Sequence, residues 1–330
     1  RVKFLIDRIG IDEFRKLVEK EMEGDWAKKS FDPTSLLFIE DELADAPKLD
    51  SKFKQATSSE PKFEAWCQSN VESQKQTGYQ TATVKVKLGD LSVEQFQSMA
   101  DLSRKFAGGR CRITHQQNLT FRWVPERALY ELWTELQKLG LGDSGAHQIG
   151  DVVSCPGTDS CKLGITSSMG LAKALEGIME ELDIDDPLVK KMHVKMSGCP
   201  NGCGQHHIAD IGFQGAAAKA PGGQVPAYDL YLGGSYAPND PRFGIRVKTK
   251  IPAKNVPDAL KKIIHTYVAE RNNNEEFKDF AVRLGSEKFE GLVQEYKDVG
   301  ELNRETLPKY MDWDKTIKYV LERGEGECMV

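Results

Sequence analysis

"TATVKVKLGDLSVEQFQSMADLSRKFA", residues 81–107, reads as a strand handing over to a helix. In its first part Val84, Val86 and Leu88 alternate with polar neighbours, the period of a half-buried strand. Ser92 and Gln95 then form a capping-box signature ahead of an amphipathic run, which marks a helix N-terminus. Past Gly108 and Gly109, "CRIT" (111–114) and "NLTFRWV" (118–124) read as a hairpin of two strands. Pro125 next opens a second amphipathic helix carrying Leu129, Leu132, Trp133 and Leu136. Strand, helix, strand, strand, helix is the order of a small ferredoxin-like α+β unit, placed at 63–150.

Outward from this unit the pattern changes on both sides. Residues 2–23 carry Phe4, Ile9, Phe14, Leu17 and Val18 at helical spacing, with Gly24 as a stop. From about 30 to 62 the chain is polar, contains Pro33, Pro47 and Pro61 and keeps no period, so 1–62 reads as a helix and a connecting segment. Beyond 150 come glycine turns, a helix over 166–182, and strands at "HVKMS", "ADIGFQG", "YDLYLG" and "FGIRVKTKI". Several helices follow from about 256. The fold class expected is α+β, a ferredoxin-like half-unit followed by a mixed α/β domain over 151–330.

With 330 residues, 39% apolar and 29% charged, the composition is that of a soluble globular protein. No run of about 18 apolar residues is present to span a membrane. A net charge of −5 with interspersed signs argues against a nucleic-acid binder. The opening at Arg1 has no secretory pattern and reads as that of a fragment or a processed chain. Seven cysteines without an export signal are expected to be reduced thiols in the cytoplasm, where metal or redox chemistry is their usual use.

Four of those cysteines fall within 49 residues: Cys155, then Cys161 after five residues, Cys199 after thirty-seven more, and Cys203 after three. Cys67, Cys111 and Cys328 are scattered. Each close pair sits in a Gly/Pro loop, "SCPGTDSC" and "GCPNGC", able to bend two thiolates toward one centre. A cubane iron-sulfur cluster needs four such thiolates. The competing readings are structural zinc, a disulfide and inert buried thiols. Zinc favours pairs about two to four residues apart, which only the second pair meets. A disulfide wants an oxidising compartment, and inert cysteines are not usually set among Pro and Gly in loops.

"CPGTDSC" followed by "GCPNGCGQHHIADIGFQG" resembles the cluster and siroheme signature of the assimilatory nitrite and sulfite reductase family. "CRITHQQNLTFRWV" resembles that family's siroheme-site strand motif, and "RVKFLIDRIGIDEFRKLVEKE" the joint between its two halves. Members are tandem duplications of a ferredoxin-like unit plus a larger α/β unit, and this sequence resembles the second half alone. The resemblance implies a 4Fe-4S cluster held by Cys155, Cys161, Cys199 and Cys203, with Cys203 bridging to the siroheme iron and Asn201 and Gly202 close to the macrocycle. It implies six-electron reduction of nitrite to ammonia or sulfite to sulfide, nitrite being favoured by "GCGQHHIADIGFQG". The electron donor would be a ferredoxin or a flavoprotein.

Siroheme is rich in carboxylates, and Arg answers those with bidentate bonds. Arg110, Arg112, Thr114, Gln117 and Asn118 are the candidates, with Arg112, Thr114 and Asn118 expected on one strand face. In the family most siroheme contacts and the basic anion-binding residues come from the first half, so the catalytic residues are not assigned here. The missing half is a candidate partner. Arg242, Arg246, Lys248 and Lys250 would be a substitute basic set, or an exposed strand face. His206 and His207 are expected on opposite faces of a strand as polar fillers, and His115, His147 and His193 likewise. "GLGDSG" (140–145) matches G-x-G-x-x-G but follows a helix instead of opening one, so it reads as a helix C-cap. The rival function is a zinc-stapled or metal-free interaction module that kept the cysteines without catalysis.

Overall fold

The computed structural model describes residues 2–36, 42–49, 52–54, 60–182 and 185–321. Among the described residues, compactness divides the chain into two units, one up to residue 44 and one from residue 45 onward. In the first, the expected single helix is two: α1 (Val2–Ile9) and α2 (Ile11–Met22). They part at Gly10, whose φ of 82° lies in the left-handed region that glycine enters without strain. No residue of α2 is buried. A single turn forms α3 (Glu42–Asp45).

The second unit holds two sheets. Helix α4 (Pro61–Asn70) leads into β1 (Val71–Ser73) and β2 (Tyr79–Val84), then α5 (Val93–Phe106), the hairpin β3 (Cys111–Ile113) and β4 (Leu119–Pro125), and α6 (Leu129–Lys138). The strands form one antiparallel sheet in the order β1-β2-β4-β3. The capping box is complete: Gln95 N–H donates to Ser92 Oγ at 3.1 Å, and Ser92 N–H to Gln95 Oε1 at 2.9 Å. Ala82, Val84 and Phe121 of the sheet share one core with Trp66, Met99, Phe106, Leu132 and Leu136 of the helices. The alternation over 81–88 outlasts the strand. Val86 is buried but gives its N–H to Asn118 Oδ1 at 2.9 Å, and Leu88 lies in a 3-10 turn with φ 56°.

The second sheet has the order β5-β6-β7-β8-β9, from β5 (Val153–Ser154), β6 (Val194–Ser197), β7 (Ile211–Ala220), β8 (Gly223–Leu232) and β9 (Ile245–Pro252). β5, β6 and β7 run parallel, while β8 and β9 return antiparallel. Helix α7 (Ser168–Leu182) connects β5 to β6 with the short α8 (Pro187–Lys190), and α9 (Val256–Glu270), α10 (Phe277–Leu284) and α11 (Ser286–Val293) follow β9. Val194, Met196, Phe213, Leu230 and Val247 of the strands pack on Leu171, Leu175, Leu260, Ile264, Phe280 and Phe289 of the helices. The alternate strand residues Lys195, Ser197, Gln214 and Asp229 face the other way, and all four are buried.

Candidate iron-sulfur site

Cys155 directly follows β5 and Cys199 lies two residues past β6, so both cysteine loops leave the carboxyl ends of adjacent parallel strands. Open α/β sheets gather ligands at such ends. The register puts Ser154 opposite Met196, and Cys155 N–H donates to Met196 O at 3.2 Å. The loops then touch through glycine. A Cβ on Gly198 would lie 2.7 Å from Gly157 Cα and 2.7 Å from Thr166 O, a separation no side chain survives. Gly198 N–H in turn donates to Cys155 Sγ at 3.1 Å, and Gly198 O accepts from the N–H groups of Ile165 and Thr166 at 2.8 and 3.1 Å.

All four motif thiols fall within one electrostatic neighbourhood. Burial pushes the Cys199 thiol above its ordinary range, an N–H donated by Asn201 pulls it back, and charge on Cys155, Cys203 or Cys161 pushes it up again. Cys199 is buried, Cys155 and Cys161 are half-buried and Cys203 is exposed. Cys67 and Cys111 lie apart, on α4 and β3, and Cys328 lies outside the described residues.

The residues fit an iron-sulfur cube in two respects. Four thiols supply its donor set, and the glycine cradle closes where a Cβ would strike backbone. Thr158 Oγ1, buried in the first loop without a partner among the described residues, is a further donor of the kind sulfur accepts. A single zinc ion would instead draw four sulfurs to about 3.8 Å of one another. Among the described residues no three His, Cys, Asp or Glu side chains are grouped to hold one metal ion. A cube, taking one thiolate at each of four irons, accepts a wider set.

The siroheme candidates are distributed differently from the expectation. Arg112, Thr114 and Asn118 do not lie on one strand, because a turn at 114–117 puts Asn118 on the opposite arm of the hairpin; the register, with Arg112 opposite Thr120 and Ile113 opposite Leu119, carries on to set Thr114 opposite Asn118, whose N–H donates to Thr114 Oγ1 at 3.2 Å. Asn118 is fully buried, and its Nδ2 donates to Asp151 Oδ2 at 2.7 Å. The Gln117 side chain bonds both backbone groups of Ser154, at 2.7 and 3.0 Å. Arg110 is paired with Asp45 at 2.8 Å. Arg112 is exposed and Thr114 half-buried; Asn201 is exposed and Gly202 has φ 72°.

His206 and His207 also depart from expectation. They lie in a 3-10 turn, not a strand, and their rings stack at 3.8 Å between centroids. His193 pairs with Asp210, and His115 lies edge-on to Tyr236. Arg246 reaches buried Asp229 at 3.2 Å and Arg242 pairs with Asp240 and Asp279, so these two are ion-paired and not an anion trap. Leu139 caps α6 at its C-terminus, and Gly140, with φ 68°, follows it in the left-handed conformation that stops the helix. One residue the pattern did not single out is Lys195, fully buried, whose Nζ donates to Gln205 Oε1 at 3.0 Å and sits 4.9 Å from the Tyr236 ring centroid.

Two family models match in chain order and cover about two thirds of the sequence: the nitrite/sulfite reductase ferredoxin-like half domain at 72–139 and the nitrite and sulphite reductase 4Fe-4S domain at 145–299. The chain belongs to the nitrite and sulfite reductase family. Family resemblance extends to a ferredoxin–nitrite reductase of Synechococcus elongatus, 28% identical over 80% of this chain and 46% of the relative. A sulfite reductase [ferredoxin] of Mycolicibacterium paratuberculosis is 26% identical over 86% of this chain and 47% of the relative. The solved Mycobacterium tuberculosis NirA protein superposes with a TM-score of 0.59 at 25% identity, over 88% of this chain and 48% of that one. The chain thus spans about half the length of the nitrite and sulfite reductases it matches. Their α+β architecture is the one found here.

Proposed function

We propose that this chain is the cluster-bearing half of a siroheme- and 4Fe-4S-dependent reductase taking nitrite to ammonia, or sulfite to sulfide, with six electrons. The observation that carries the reading is the meeting of two cysteine loops at the ends of β5 and β6 over the Gly157–Gly198 contact. Cys155, Cys161, Cys199 and Cys203 would hold the cluster, which supplies single electrons and, through a shared thiolate, electronic contact with siroheme. Burial of Cys199 keeps water from one corner of the site, whereas the exposure of Cys203 leaves a sulfur open to a second group. Asn201 and Gly202 flank that sulfur, and the left-handed backbone at Gly202 turns the chain without a side chain in the way.

Arg112, exposed, and Thr114, half-buried, would be the hairpin residues that meet a siroheme carboxylate. Gln117 and Asn118 serve it indirectly, by fixing the first sheet to the strand that delivers Cys155. The remaining siroheme contacts and the anion-binding side chains would come from a first half, in keeping with relatives about twice as long. The donor would be a ferredoxin, meeting the surface beside Cys161, where Lys162, Lys315 and Lys318 line a cavity of about 530 Å³ together with Asp159 and Asp312.

The purified chain, reconstituted anaerobically with iron and sulfide, should absorb in the visible and contain both in cluster proportion. Joined by a first half that supplies the remaining siroheme contacts and the anion-binding side chains, the siroheme-loaded protein should reduce nitrite or sulfite, and the anion turned over with the higher kcat/KM is the substrate. Cys203→Ser should abolish the coupled spectrum. A colourless protein with no bound iron would defeat the reading, and an unchanged spectrum in the serine variant would remove Cys203 from its role.

A further inference from the structure

The polar side of the second sheet carries a hydrogen-bond chain that the cluster reading leaves unused. His206, three residues after Cys203, is fully buried. Its Nδ1 is 2.9 Å from Ser197 Oγ, and its Nε2 is 3.3 Å from Gln214 Oε1 on β7. Ser197 Oγ accepts the N–H of Gly204, the residue after Cys203, at 3.0 Å. At the other end, Gln214 Nε2 donates to Asp229 Oδ2 on β8 at 3.4 Å, and the same oxygen faces Arg246 of β9 at 3.2 Å. Tyr231 O–H donates to Gln214 Oε1 at 3.2 Å.

One placement of protons satisfies each of these contacts, with Asp229 Oδ1 left buried without a hydrogen-bond partner among the described residues. Asp229 can only accept from Gln214, so the Gln214 amide nitrogen faces it and the carbonyl oxygen faces the histidine. His206 Nε2 must then carry the hydrogen, and bare Nδ1 takes the Ser197 O–H. The serine oxygen is left with a lone pair for the Gly204 amide. Burial and the neighbouring His207 keep the ring neutral, as this arrangement requires. The turn has no slack. A Cβ on Gly204 would stand 1.8 Å from Met196 O, and one on Gly212 would stand 1.9 Å from His206 O. Ser197 lies two residues before Cys199 and Gly204 one after Cys203, so their bond closes the second cysteine loop at its base.

We propose that His206 is the positioning residue of that loop: through Ser197 it holds the Gly204 amide, fixes the direction of Cys203, and ties the loop to the Asp229–Arg246 pair. This rests on the cluster reading and assigns a role to a residue outside the four cysteines. Outer groups that orient a metal's ligands commonly change metal retention by roughly 10- to 100-fold when removed.

The test uses the full chain reconstituted with ferrous iron and sulfide, read by the rate at which a ferrous chelator strips the iron and by the electron-spin resonance signal after dithionite reduction. His206→Leu should lose iron roughly 10- to 100-fold faster than wild type and show a broadened signal. His206→Asn keeps an acceptor near the Nδ1 position for Ser197 and should restore a rate close to wild type, which a space-filling role would not allow. Ser197→Ala removes one oxygen and should resemble the leucine variant, so the test survives if His206→Leu does not fold. Wild-type iron retention in both Ser197→Ala and His206→Leu would overturn the proposal. A wild-type chain that takes up no iron would instead overturn the cluster reading, and this assignment with it.

Discussion

Lys195 brings an ammonium into a strand whose neighbours Val194 and Met196 are fully buried. Burial holds its pKa down at about 8 against an ordinary 10.5, with Asp151 pulling the other way. Around it, His115 is held low by burial and by Lys195 itself, and Tyr236 is held above its ordinary value by burial, so neither ring carries charge from pH 8 to 10. The consequence for stability has a definite sign. Below pH 8 both folded and unfolded chains hold the lysine proton, and the folded state bears the whole desolvation cost. Between 8 and 10.5 the unfolded chain keeps a proton the folded chain has released, so this group makes stability rise with pH. The swing is worth up to about 3 kcal/mol. Lys195→Met should therefore be the more stable protein at pH 7, with a flatter rise from pH 8 to 10 in urea midpoints. Parallel pH profiles for the two proteins would show that Lys195 is not desolvated.

Among the elements, the two cysteine loops depend on each other more than on the helices around them. Gly198→Ala puts a methyl group 2.7 Å from backbone atoms of the other loop, which cannot swing aside as a side chain would. It should cost about 1–3 kcal/mol as overpacking and lower iron uptake in proportion as the loops part. Gly177→Ala in α7 is the matched control. Nothing lies within 4 Å of its added Cβ, and it should stabilise the helix by about 1 kcal/mol without touching iron uptake. Equal effects from both would mean that the glycine contact does not hold the loops together. The cysteine loops, the capping box at Ser92 and Gln95, and strands β6 to β9 were legible because each carries its own local signal. The missed elements carry none: β1 has three residues, β5 has two, and α4 buries only Trp66 and Asn70. His206 departs from strand alternation because Gln205, with φ 61°, starts a turn, and no neighbouring residue type signals that left-handed step. The jobs of Gln117 and Asn118 depend on residues 33 to 37 positions away, and no local period reports those.

At the scale of the molecule, those distant bonds decide whether the two sheets behave as one body. Asn118 accepts from Val86 N–H on the first sheet's side and donates to Asp151 on the other, and the same Asp151 oxygen takes His147 N–H at 2.9 Å. Gln117 adds two bonds to Ser154, the residue before Cys155. Asn118→Ala would leave the Val86 N–H unpaired in a buried place and strip Asp151 of a donor, at roughly 1–3 kcal/mol for each group. That loss falls on the link between the sheets, not on either core, so it should lower cooperativity as well as stability. Two probes separate the halves of this question. Trp66, Trp123 and Trp133 belong to the first sheet and its helices, and in the unit from residue 45 onward only Trp313 lies elsewhere, so tryptophan fluorescence follows mainly the first sheet. Far-ultraviolet dichroism follows both. In the wild-type chain the two urea curves should coincide across this unit, the mark of a single transition. In Asn118→Ala, and more so combined with Gln117→Ala, the fluorescence curve should part from the dichroism curve, and iron uptake should fall as Cys155 loses its anchor at Ser154. Coincident curves with an unmoved midpoint in the double variant would mean that the sheets are joined by something other than this pair of amides.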